Sequence, residues 1–115
     1  MRVIRLISIC LLLCFFSLSA SADSTPESAS RLLGQKLMLD FRYFCDDGTP
    51  SSACREPVTV LPDALREVLI SGQIGGVILF GENIQNHAQL LTLIYQMQEV
   101  MVRHNLPPLL VAIDQ

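Results

Sequence analysis

Leu109-Leu110-Val111-Ala112-Ile113 is an apolar run with no polar residue alternating through it, and Asp114 follows at once. Unbroken small and branched apolar residues suit a strand covered on both faces, and a carboxylate directly after such a run marks the carboxyl edge of a parallel sheet. A chain that carries such a strand must also supply crossover helices and a parallel neighbour. Gly75-Gly76-Val77-Ile78-Leu79-Phe80 is a second run of this kind, opening into Gly81-Glu82-Asn83. Leu37-Met38-Leu39-Asp40-Phe41-Arg42-Tyr43-Phe44 is a third, less clearly bounded, with strand-like composition.

Helical periodicity fills the intervals. Ser30 is placed to cap a short helix in which Leu33 and Leu37 share a face. Around Leu61 to Leu69, Pro62 suits a first helical turn, Leu61, Leu65, Val68 and Leu69 line one side, and Gly72 is a natural stop. Asn86 with Gln89 reads as a capping box that starts a helix running to about His104. Leu90, Ile94, Met97 and Met101 fall on one stripe of it and Thr92, Gln96, Glu99 and Arg103 on the other, before Asn105-Leu106-Pro107-Pro108 breaks it. Helix and strand therefore alternate three times. That order predicts an α/β fold with parallel strands, right-handed crossovers and ligands at the carboxyl ends of the strands. An open doubly wound sheet and the start of an eight-fold barrel both fit.

The amino terminus reads as a different kind of segment. Arg2 and Arg5 precede the uncharged run Leu6 to Phe16, and Ala20-Ser21-Ala22 supplies a small-residue cleavage site, so residues 1–22 are expected to be a secretory signal. The apolar run is short for a bilayer, which favours cleavage over a retained anchor. Cys10 and Cys14 lie inside that run rather than at the cleavage point, which argues against a lipoprotein. Residues 23–30 read as a polar leader of Ser, Thr, Pro and Glu with little fixed structure, and residues 31–115 as the domain. Without the signal the chain keeps six basic and all eleven acidic residues, a net charge of −5. Nucleic acid and anionic membrane surfaces are poor partners for such a chain.

Two cysteines survive cleavage. Cys45 and Cys54 bracket eight turn-forming residues, Asp46 to Ala53, and in an exported protein they are expected to form a disulfide that staples the loop. A metal site would need a third ligand nearby, so no metal is expected. Periplasm or secretion is the compartment implied.

Chemistry is expected where the strands end. Asp40 and Arg42, Glu82 and Asn83, and Asp114 and Gln115 stand there. Carboxylates in that position accept hydrogen bonds from sugar hydroxyls or serve as acid and base. Asp40 with Arg42 also reads as a simple ion pair and Glu82 as a solvated loop acid, whereas Asp114 follows the most buried-looking strand and is the best single candidate. His87 and His104 fall in the first and last turns of the long helix with no nucleophile beside them. Gly75-Gly76 precedes its strand, the wrong side for a phosphate loop.

Gly34-Gln35-Lys36-Leu37-Met38, Ile74 to Phe80 with Asn83 after it, and Leu109 to Gln115 together resemble the amino-terminal part of glycoside hydrolase family 3, closest to its β-N-acetylhexosaminidases. The resemblance covers Leu32 to Gln115 and implies the first three β/α units of a (β/α)₈ barrel, incomplete as given. It implies an exported enzyme that hydrolyses terminal non-reducing β-linked N-acetylglucosamine in peptidoglycan or chitin fragments, with Asp114 binding hydroxyls of the terminal sugar and no metal or organic cofactor. The family's aspartate nucleophile and loop histidine would fall after Gln115, so the resemblance assigns no catalytic residue here and implies an inactive amino-terminal portion. A β-glucosidase of the same family, or a small exported carbohydrate-binding or interaction module without catalysis, are the alternatives. The Cys45 to Cys54 loop departs from the family's general pattern.

Overall fold

The computed structural model describes residues 26–114. The expected signal lies outside the described residues. Among the described residues three helices and three strands alternate: α1 (Pro26–Gly34), β1 (Met38–Asp40), α2 (Asp63–Gly72), β2 (Gly76–Phe80), α3 (His87–Arg103) and β3 (Leu110–Asp114), with a 3₁₀ turn at Gly81–Asn83 between β2 and α3. α1 begins at Pro26, so the second half of the expected leader is helical rather than unstructured. Proline in a first turn lacks only an N–H that has no helical partner there, which is why the helix starts at Pro26 and not at Ser30.

The sheet is parallel throughout and its order is β1-β2-β3. Met38, Gly76 and Leu110 stand in register, as do Asp40, Ile78 and Ala112. Side chains in one such row emerge on the same face. One face thus carries Leu39, Val77, Leu79 and Val111, and against it pack α2 and α3. Leu69 of α2, Val77 and Leu79 of β2, and Leu93, Met97 and Met101 of α3 are wholly buried. Each such side chain contributes about 1.5–3 kcal/mol of transfer free energy, so this seam dominates the stability.

The opposite face is bare among the described residues. Leu110 is 70% exposed and Met38 41%. The expectation of strands covered on both faces is met on one face only, because all the packed helices lie on the same side. The glycines before β2 have a steric role. A Cβ at Gly75 would run into the carbonyl of Gln35, and one at Gly76 would crowd the Leu110 carbonyl and the Met38 side chain. Close approach of backbone to backbone, not phosphate binding, explains the pair.

Several helix details differ from the sequence expectation. α2 starts one residue after Pro62, which occupies the capping position without a side-chain bond, and Gln73, in the left-handed conformation at φ 48°, closes it. Val68 points outward, 40% exposed, instead of joining Leu65 and Leu69. Asn86 caps α3 as expected through Gln89 N–H at 3.0 Å, but Gln89 Oε1 accepts from Gln85 N–H instead of returning to Asn86. The buried stripe of α3 also takes in Leu93 and Val100.

Candidate functional site

The carboxyl edge of the sheet is built around Asn83. The chain leaving β2 folds straight into the 3₁₀ turn, which drops Asn83 back beneath the strand end, where it is fully buried. Its Oδ1 accepts from Phe80 N–H at 2.8 Å, and the two hydrogens of its amide nitrogen are shared among the carbonyls of Phe41 at 3.0 Å, Arg42 at 2.9 Å and Val58 at 2.9 Å. One amide side chain therefore ties the end of β2 to the chain leaving β1 and to the return limb of the disulfide loop. A buried polar group so fully partnered fixes a single arrangement of the backbone.

On this base stands a charged rim. Phe41 follows the alternation of β1 into the core, so Arg42 rises on the bare face. Its guanidinium carbon lies 3.6 Å from the centroid of the Phe80 ring, a cation–π stack that covers the ring. Arg42 Nε is 3.9 Å from Glu82 Oε2 and is buried without a hydrogen-bond acceptor. Glu82 Oε1 accepts from the Tyr43 hydroxyl at 3.1 Å, and Arg55 lies over the other side of the rim, 5.7 Å from the Tyr43 ring centroid. Burial and then the bond to Glu82 hold the Tyr43 phenol above its ordinary value. Glu82 is held below the ordinary carboxylate value by its own backbone N–H, by Tyr43 and by Arg42.

The expected Asp40–Arg42 ion pair does not form. Asp40 Oδ1 accepts from the Arg42 backbone N–H at 2.6 Å, closing a turn two residues wide, while the guanidinium goes to Phe80 and Glu82. A short aspartate satisfies its neighbour's backbone more easily than it reaches a guanidinium two residues on. Glu82 is correspondingly more than a solvated loop acid.

Asp114 ends β3 and is exposed. It stands in register with Phe80, so its carboxylate emerges on the same face, one strand spacing of about 4.8 Å from the residue on which Arg42 is stacked. An acceptor-only carboxylate and a donor-only guanidinium thus share one edge. His87 heads α3, and His104 follows it, contributing its backbone N–H to the carbonyls of the last turn. Among the described residues no hydrogen bond or ion pair joins either imidazole to the rim.

Cys45 and Cys54 form a disulfide, with their Cα atoms 5.8 Å apart. Below it the two limbs of the loop pair as a short antiparallel bridge, Tyr43 opposite Pro57, with Phe44 N–H on the Glu56 carbonyl at 2.9 Å and Val58 N–H on the Arg42 carbonyl at 3.1 Å. Position at the strand ends points to Arg42, Glu82 and Asn83 but not to Tyr43 and Phe80. The signal for both was present: an aromatic at the last position of a strand, and one next to an arginine at the mouth of a disulfide loop. Among the described residues no group of three His, Cys, Asp or Glu side chains is placed to hold a metal ion, and no helix is long and apolar enough to cross a membrane.

No family model matches the chain. A curated protein from Pseudoalteromonas piscicida named Beta-hexosaminidase A is 46% identical to it over 101 residues. The aligned stretch takes in 86% of this chain and only 17% of that protein. Over most of its length the chain is thus a relative of a curated β-hexosaminidase, whose full length it spans by about a sixth.

Proposed function

We propose that the chain is an exported piece of a glycoside hydrolase family 3 hexosaminidase. In this reading it forms the first three β/α units of a (β/α)₈ barrel and supplies one wall of the site for a terminal, non-reducing, β-linked N-acetylglucosamine. Asp114 accepts from hydroxyls of that sugar. Arg42 complements it, since each hydroxyl that donates to a carboxylate also carries lone pairs that call for a donor. The observation that carries the reading is the placement of Asp114 on the bare sheet face, in register with the Phe80 that bears the Arg42 guanidinium. The 46% identity to Beta-hexosaminidase A supports the substrate class.

Two features support binding without turnover. Retaining hydrolysis needs a nucleophile and a proton donor about 5 Å apart, both free to react. Asp40 is engaged with its own turn and Glu82 with Tyr43, the one hydroxyl–carboxylate pair at the rim. Glu82, bonded to the Tyr43 hydroxyl and held below the ordinary carboxylate value by its own backbone N–H and by Tyr43, is a weakened base. The bare apolar face, with Leu110 and Met38 exposed, supports a larger sheet in the working enzyme.

The test is a calorimetric or NMR titration of the full chain with N-acetylglucosamine, with glucose as the comparison ligand. Loss of hydrogen bonds to a charged acceptor, about 1.5–3 kcal/mol, translates to a roughly ten- to hundredfold weaker complex for Asp114→Ala. Equal binding by Asp114→Ala refutes the role of Asp114. Release of nitrophenol from its N-acetyl-β-glucosaminide by the chain alone refutes the view that it binds without hydrolysing.

A further inference from the structure

The rim has two tiers that are held in different ways. The lower tier is Arg42 on Phe80, and its backbone is clamped from beneath by the buried Asn83 amide on the Phe41, Arg42 and Val58 carbonyls. The upper tier is Tyr43, whose hydroxyl reaches Glu82 and whose ring faces Arg55. Tyr43 lies between that clamp and the Cys45–Cys54 bond, two residues from Cys45. Arg55 follows Cys54 directly, and its guanidinium donates to the Cys54 carbonyl and to the Ser52 carbonyl at 3.1 Å. Arg55 is thus bonded to a bridged cysteine and Tyr43 stands one residue nearer the other than Arg42 does, while the Phe44–Glu56 and Arg42–Val58 backbone bonds join the limbs below the bridge.

We propose that the Cys45–Cys54 disulfide is a redox latch on the upper tier of the rim. Closed, it holds Tyr43 against Glu82 and Arg55 against Tyr43. A dithiol reductant opens it by thiol–disulfide exchange. The dithiol gives two electrons and two protons and closes to its own cyclic disulfide, while the Cys45–Cys54 bond breaks and leaves two thiols. Cys54 is buried and Cys45 half-buried, so the attacking thiolate enters by way of Cys45. Opening frees the loop from its tip downward. Tyr43 leaves Glu82, while Arg42 stays on Phe80 because Asn83 still holds its backbone. Regulation of sugar binding by this latch rests on the function proposed above, but the latch itself does not.

The experiment reads Tyr43 directly. In the full chain carrying Tyr95→Phe, Tyr43 is the one remaining tyrosine, and its ionisation is followed by tyrosinate absorbance. Its environment is set by burial, Glu82, Arg42 and Arg55. The oxidised chain titrates above free tyrosine. Dithiothreitol moves the titration down toward free tyrosine, as does the Cys45→Ser/Cys54→Ser double variant, while amide exchange at Phe80 stays as slow as before. A titration unchanged by reduction overturns the latch. Phe80 protection lost together with Tyr43 overturns it too, since the two tiers would then be one. Neither result touches the sugar titration, so the two proposals fail separately.

Discussion

Replacing Asn83 by alanine tests whether one side chain organises the carboxyl rim. The substitution removes an acceptor from Phe80 N–H and the two N–H donors that three carbonyls share. The Arg42 carbonyl keeps a second partner in Val58 N–H at 3.1 Å, which leaves Phe80 N–H and the Phe41 and Val58 carbonyls orphaned. A buried group stripped of its partner costs roughly 1–3 kcal/mol, and water entering the vacated space recovers part of it, so three groups together come to about 3–5 kcal/mol. That is a large share of the 5–15 kcal/mol typical of a folded domain. Urea unfolding of the full chain should show a lower midpoint with an unchanged slope. Hydrogen exchange at Phe80 should accelerate by two or more decades, since each 1.4 kcal/mol is about tenfold. A loss under about 1 kcal/mol with Phe80 protection intact would show that the rim is held by the strands alone.

Two further outcomes follow from the same geometry. Gln98 of α3 grips the chain just before β3 at both polar backbone atoms of Leu109, donating to its carbonyl at 2.8 Å and accepting from its N–H at 3.1 Å, so Gln98→Ala should cost about 1–3 kcal/mol and speed exchange at Leu109 before that of β2. The Tyr43–Glu82 contact has a pH window with two edges. Glu82 titrates below its ordinary 4.5 in the fold, so its contribution is complete above that value and is lost as pH falls through the depressed one. Tyr43 titrates above its ordinary 10.0, so its contribution is complete below that value and is lost as pH rises through the raised one. The Tyr43 ring signals in an NMR pH series should hold steady between these limits, and a transition near neutrality would contradict the assignment.

The fold was legible because its signals are local and strong. Unalternated runs at Gly76–Phe80 and Leu110–Asp114, the stripe of α3 and the Asn86 cap each follow from the order of residues within one element. Which face of the sheet stays bare was not legible, because Leu110 and Leu109 look alike in sequence and differ only by which side of the ladder they occupy. The rim was legible only by position. Arg42 was expected on Asp40, its neighbour in sequence, and is found on Phe80, a partner supplied by strand register. Tyr43 meets Glu82 across 39 residues of sequence for the same reason. Local spacing says nothing about contacts that only the ladder creates.

The placement of sugar binding at this edge is open to a single residue-resolved experiment: a ¹H–¹⁵N titration of the full chain with N-acetylglucosamine. Shifts gathered at Asp40, Arg42, Glu82 and Asp114, and saturating together, are the result expected. Shifts confined to the opposite end of the sheet around Gly34 and Gly75, to the outer face of α3 at Leu91 and Tyr95, or absent altogether would contradict it.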